Sequence, residues 1–221
     1  MTAPPGQIMS VNVGAPRIVR WRDRDVLTSI FKDPVTGRVA VRGMNIVGDD
    51  QADRSVHGGP DKAVYAYARE DLTWWSEELD APLAPGVFGE NLTVSGLAVT
   101  HAVIGERWRG NDVLLEVCGP RIPCYKLGIR MGEDRFPRLF AAVGRPGAYL
   151  RILSEGTVAA GDALTVEHQP AHGVTVQTVA DVFHRDHSRA AELLVAPELA
   201  EVWQSWARSL LDRRRKRAST R

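Results

Sequence analysis

The sequence predicts a mainly β fold, a barrel or a sandwich, followed by a small all-helical C-terminal unit. Three observations carry this. From about residue 7 to residue 168 the chain reads as short apolar or alternating runs broken by glycine and proline turns. Strands and helices do not alternate regularly, which argues against a doubly wound βα sheet. After Gln169-Pro170 the apolar spacing changes to the i, i+3, i+4, i+7 pattern of amphipathic helices.

In chain order, Ile8 to Val13, Val26 to Ile30 and Arg38 to Val41 alternate as half-buried strands do. The compact run Ala63-Val64-Tyr65-Ala66-Tyr67 predicts a strand, and Glu70 to Leu79, carrying Trp74 and Trp75, a helix. Leu92-Thr93-Val94 leads into a turn at Ser95-Gly96. Val113 to Cys118 and Tyr149 to Leu153 are further strands, and Leu127 to Val143 is a helix candidate interrupted by Gly132 and Pro137. The segments Ala102 to Trp108 and Thr157 to Leu164 share an apolar lead, a Gly-acidic pair and a strand, which predicts one turn chemistry used twice. Val176, Val179, Ala180 and Phe183 mark the first C-terminal helix and Ser188 to Val195 a second. Leu199, Val202, Trp203, Trp206, Leu210 and Leu211 mark one face of a third, starting near Pro197. The expected division is residues 1–170 for the β domain and 171–221 for a three-helix domain with a basic tail. So few helical residues make a marginal core, so the helices are expected to dock against the β part.

The 221 residues, 44% hydrophobic and 25% charged, are ordinary for a globular chain, and a net charge of +1 points to neither nucleic acid nor a membrane surface as partner. No signal-peptide pattern opens the sequence and no run is long enough to span a bilayer, so the expected compartment is the cytoplasm, where thiols stay reduced. The run Arg213-Arg214-Arg215-Lys216-Arg217 reads as a solvated tail that complements a helix C-terminus. The histidines lack zinc-site spacing, and there is neither a nucleophile elbow nor a dinucleotide-binding glycine fingerprint.

Three motifs carry chemistry. In Val56-His57-Gly58-Gly59-Pro60-Asp61-Lys62 the paired glycines allow positive φ or close approach to a ligand. His57, Lys62 and backbone N–H groups there can meet an anion, or the segment is a plain glycine turn. In Phe88-Gly89-Glu90-Asn91-Leu92 the Asn91 amide can read a heterocycle edge or bond local backbone. Glu90 can carry a proton if buried, or cap a turn. In Cys118-Gly119-Pro120-Arg121-Ile122-Pro123-Cys124-Tyr125-Lys126 a rigid segment places one thiol between two cations. Arg121 is a fork donor suited to phosphate, and the flanking cations are expected to favour a Cys124 thiolate, as a soft-metal ligand or a nucleophile requires. Cys118 reads as strand core.

These motifs, in this order and with Ile104-Gly105-Glu106 between them, resemble the MOSC family, named after the C-terminal domain of molybdenum cofactor sulfurases. The resemblance covers nearly all of residues 7–168. The helical tail is similar to that of the stand-alone bacterial YiiM-type branch. It implies a twisted β-barrel, a molybdenum cofactor (a molybdopterin carrying Mo) with Cys124 as metal ligand, and reduction of N-hydroxylated compounds such as hydroxylaminopurines, amidoximes and hydroxylamines. It also implies electrons from a separate redox protein. On this reading Cys124, Asn91 and Glu90 form the catalytic set, and His57, Gly58, Gly59, Lys62, Phe88, Asn91, Arg121 and Lys126 bind the cofactor. The alternative is a non-catalytic carrier of the cofactor or of a persulfide sulfur on Cys124.

Overall fold

The computed structural model describes residues 5–51 and 58–219. Its strands are β1 (Gly6–Val13), β2 (Arg17–Trp21), β3 (Arg24–Thr28), β4 (Asp33–Pro34), β5 (Val39–Arg42), β6 (Asn45–Ile46), β7 (Val64–Ala68), β8 (Leu92–Ser95), β9 (Arg107–Arg109), β10 (Leu114–Pro120), β11 (Ala148–Ser154), β12 (Gly156–Val158) and β13 (Ala163–His168). The helices are α1 (Arg69–Glu78), α2 (Tyr125–Met131), α3 (Phe136–Val143), α4 (Val176–His184) and α5 (Glu201–Ser219). A 3-10 segment spans His187–Val195.

Seven strands close a barrel in the order β13-β9-β10-β11-β7-β8-β1, with β1 returning to β13 through Gly6↔Leu164, and β4 adds an eighth strand beside β1. Closure leaves no exposed edge in the ring. All ring pairs are antiparallel except β7–β8. A parallel pair needs a crossover, and α1 with its following loop supplies it. The mainly β prediction therefore holds, in its barrel form.

Of the register shifts in the ring, two matter here. In β1 the register against β8 passes from Ile8↔Val94 to Ser10↔Thr93, so Met9 is the extra residue and faces outward. In β10 the register against β11 passes from Val117↔Leu150 to Gly119↔Tyr149, so Cys118 is the extra one. A bulge bends its strand and re-aims the side chains beyond it. Here it bends β10 immediately before Arg121 and Cys124.

The twice-used turn is present in both places. Gly105 and Gly161 have φ of 84° and 94°. The next residue's carboxylate accepts the backbone N–H three positions earlier: Val103 N donates to Glu106 at 3.3 Å and Ala159 N to Asp162 at 2.9 Å. The two strands that follow, β9 and β13, pair with each other.

The main core fills the barrel with Ile8, Val11, Trp108, Leu115, Val117 and Leu150, and continues without a break into Val176, Val179, Val182, Leu193 and Ala207 of the helical tail. The helices thus dock on the barrel, as their small size requires. Ile104 N bonds Val174 O and Ala200 N bonds Cys118 O, each at 2.9 Å. A second, aromatic core of Tyr67, Trp75, Phe88, Phe136 and Phe140 lies under α1 and α3, with Trp75 and Phe140 stacked at 5.7 Å.

Three details differ from expectation. The 127–143 candidate is two helices: α2 stops at Gly132 (φ 70°), and α3 starts afresh at Phe136 with Pro137 in its first turn. The second tail helix is 3-10 rather than α. The third begins at Glu201, and Val202 falls off its packed face and is 61% exposed, while Trp203 and Trp206 pack inward.

Candidate functional site

β10 ends at Pro120, and the extended segment from Arg121 to Pro123 delivers Cys124 to the position before α2. Cys124 has extended backbone (φ −119°, ψ 174°), and its side chain makes no capping bond to the helix, so the thiol is left to its surroundings. It is half-buried and lines a cleft with Lys32, Asp49, Lys62, Tyr65, Asn91, Arg121, Lys126 and Tyr149.

Arg121 is the most telling group. It is buried, its guanidinium lies 5.5 Å from the Tyr65 ring and 5.6 Å from the Phe140 ring, and among the described residues Nη1 has no hydrogen-bond partner. Burial works against its charge, but Tyr65, Tyr149, Cys124 and Glu90 outweigh it, and its pKa ends above the ordinary arginine value. A buried charged donor without an acceptor is rare and costly in a folded protein. Lys32 is also buried, and desolvation lowers its pKa against the opposing pull of Asp49. Lys32 pairs with Asp49, which also accepts Gly14 N at 2.9 Å.

The loop before β8 seats these cations. Gly86 and Gly89 take φ of 84° and 79°, and an added Cβ would lie 2.6 Å from Lys32 O or 3.0 Å from an Ile30 side-chain carbon. Only glycine permits both the angle and the approach.

Several predicted site residues turn out to hold this loop. Glu90 is fully buried, but it faces its own loop: Gly86 N (2.6 Å), Phe88 N (3.0 Å) and Thr93 Oγ1 (3.1 Å) donate to its carboxylate. Burial raises its pKa and those donors oppose the rise. This is the turn-capping role, and Glu90 does not line the cleft. Phe88 sits in the aromatic core, also away from the cleft. Asn91 does line it, yet its amide is engaged. Oδ1 accepts Tyr65 N at 3.0 Å, and Nδ2 donates to Asn12 O at 3.3 Å and Asp49 Oδ2 at 2.9 Å. Asn91 therefore ties β7 and β1 to the Asp49 segment.

Lys62 and Lys126 line the cleft as expected. His57 lies outside the described residues. Gly58 and Gly59 are not in the cleft wall; Gly59 has φ 100° and open space where a Cβ would stand, so it answers to its backbone angle rather than to close approach. Cys118 is wholly buried and donates to Asp61 O (3.0 Å) and Tyr149 O (3.3 Å), and desolvation pushes its thiol pKa far up.

The motif reading missed Lys32, Asp49, Tyr65 and Tyr149. The two tyrosines sit on strands and were legible only as strand residues. Lys32 carried one usable signal, a cation directly after the apolar pair Ile30-Phe31.

The cleft therefore joins one accessible thiol to a buried guanidinium whose Nη1 has no acceptor among the described residues, and to further cations, an arrangement able to hold an anionic ligand next to a soft metal. Comparison with known proteins gives the family. The MOSC-domain family model matches residues 53–165. The crystal structure of YiiM from Geobacillus stearothermophilus superposes with a TM-score of 0.77, at 29% identity, over 94% of this chain and all of that one. An uncharacterized Bacillus subtilis (strain 168) protein, YflK, is 33% identical over 94% of both chains. A Gibberella moniliformis protein named as a reductase is 32% identical over 76% of this chain, which spans 30% of that longer protein. With the family model matching from before β7 into β13, the thiol motif included, and a YiiM structure matching barrel and helices alike, the chain belongs to the MOSC-domain family.

Proposed function

We propose that this protein is a molybdenum-cofactor-dependent reductase of N-hydroxylated compounds, with Cys124 as the protein ligand of the metal. The observation that carries the reading is the buried Arg121, whose Nη1 has no acceptor among the described residues, lining the same cleft as Cys124. An anionic cofactor supplies the missing acceptor, and a soft metal centre takes the thiolate. Arg121, Lys32, Lys62 and Lys126 are the residues that would hold its anionic part. When bound, the cofactor supplies the two-electron chemistry that cleaves the N–O bond: R–NHOH + 2H⁺ + 2e⁻ → R–NH₂ + H₂O.

The chain's own contribution is placement. The bulge at Cys118 and the two prolines around Ile122 fix where Cys124 stands. Glu90 and Asn91 hold the loop that seats Lys32 and Asp49 against the cleft. The electrons come from a separate redox protein, and the Gibberella relative named as a reductase supports the reaction class.

The test is molybdenum content and reduction of hydroxylaminopurine, with a chemical or protein donor, for protein made in a cofactor-competent host. Wild type carries molybdenum and turns over; Cys124→Ser loses both while remaining folded. Equal metal content in the two proteins, or a persulfide on Cys124 of metal-free wild type, overturns the proposal.

A further inference from the structure

We propose that a second cavity beside the Cys124 segment receives the organic body of the substrate, and that Trp203 of the helical tail positions it. This rests on the reductase reading of the site. The cavity has about 240 Å³ of space and is walled by Gly119, Pro120 and Pro123 of the barrel and by Ala200, Val202 and Trp203 of the tail. Lys62, Ile122, Cys124 and Tyr149 line both this cavity and the cationic cleft, so the two chambers meet at the Cys124 segment.

The division of labour follows from their linings. The cleft adds Lys32, Lys126 and Arg121 to its apolar residues, which suits an anion. The second cavity, though Asp61 and Lys62 reach its wall, is mostly prolines, Ile122, Val202 and an indole. An apolar cavity of about 150 Å³ is enough for a benzene ring. An aryl or heteroaryl N-hydroxylated compound can therefore lodge its ring here and direct its N–O group toward Cys124. On this proposal hydroxylamine, which carries no ring, makes no use of the indole.

Trp203 is held firmly enough to serve as a wall. A Cβ on Gly119 would come within 2.9 Å of its Nε1, so the indole rests directly on the strand that leads to Cys124. Phe183 meets it edge-on at 5.1 Å and Trp206 at 6.3 Å. Its backbone N–H bonds Ala200 O, and Ala200 N bonds Cys118 O, so the wall is stitched to the bulge beside the site. The tail thus does more than cover the barrel: it makes the site selective.

The experiment compares wild type, Trp203→Phe, Trp203→Ala and Val202→Arg, the last at the exposed rim where the fold tolerates a charge. Molybdenum-loaded proteins are assayed with benzamidoxime and with hydroxylamine. Metal-free proteins are titrated calorimetrically with benzamidoxime. The expected result is a roughly tenfold fall in the ratio of kcat/KM for benzamidoxime to that for hydroxylamine in Trp203→Ala and Val202→Arg, through KM. Trp203→Phe restores most of it, and calorimetric binding weakens in parallel. An unchanged ratio in both variants overturns the inference. So does lowered molybdenum content in Trp203→Ala, which would give the cavity to the cofactor. Wild type that reduces neither compound overturns the reductase reading instead, and the titration then still decides whether the cavity binds an aryl amidoxime through Trp203.

Discussion

Replacing Arg121 with methionine separates a residue kept for a ligand from one kept for the fold. Methionine matches the arginine stem in length and packs against the Tyr65 and Phe140 rings, which lie within 5.6 Å of the guanidinium. The substitution removes a buried donor that has no acceptor among the described residues and whose burial costs about 1–3 kcal/mol. It also removes the attraction of the cation to the rings, worth roughly 0.5–2 kcal/mol. The two nearly cancel, so the ligand-free protein should be unchanged or more stable by about 1 kcal/mol. For a chain of this size that is a rise in Tm of roughly 2–4 °C. Anion binding moves the other way: losing a charged hydrogen bond of about 1.5–3 kcal/mol weakens inorganic phosphate by roughly 10- to 150-fold. Thermal melts of wild type and Arg121→Met across a phosphate titration measure both quantities. A fall in Tm beyond about 5 °C with the phosphate response intact would refute the reasoning, because Arg121 would then be serving the fold.

Glu90→Gln should cost about 1–3 kcal/mol, since an amide NH₂ must face the N–H groups of Gly86 or Phe88. The raised pKa of Glu90 means that folding favours its protonated form. Its share of stability is fullest below the ordinary value of 4.5 and is lost as pH rises through the folded pKa, a slope that denaturant melts should show in wild type and not in Glu90→Gln. In thiol titration with an aromatic disulfide, Cys124 should react in the native protein and Cys118 only on unfolding; prompt reaction of both would contradict the bulge geometry. Lys32 loses its proton below the ordinary lysine value of 10.5, so sulfate affinity should decline with rising pH in a window below 10.5. Lys32→Met should shrink that decline to the part left by Lys62, which lines the same cleft and whose pKa desolvation also lowers.

Much of the fold was legible because its signals are local. Alternation marked β1, the Gly-acidic pairs marked the two matching turns, and i, i+3, i+4 spacing marked α4. The breaks at Gly132 and Pro137 were visible too, although their consequence, two short helices, depended on how the chain turns between them. The exposed position of Val202 follows from the helical period: one residue before Trp203, it stands about 100° round the helix from the face that Trp203, Ala207 and Leu210 share.

The site divides along the same line. The sequence by itself determined that one rigid segment carries a thiol between cations, that Cys118 belongs to a strand, and that glycines flank the Glu90-Asn91 pair. Residue type and neighbouring prolines or glycines are enough for that. Only the tertiary structure decided which side chains share the cleft. Closure of the barrel and the bulge at Cys118 set which way each side chain beyond them points, and neither leaves a local trace. So Glu90 and Asn91 turn to holding their loop, and Lys32 and Asp49 arrive from distant segments. Trp203, read as a core residue of a covering helix, stands within reach of the strand that presents Cys124.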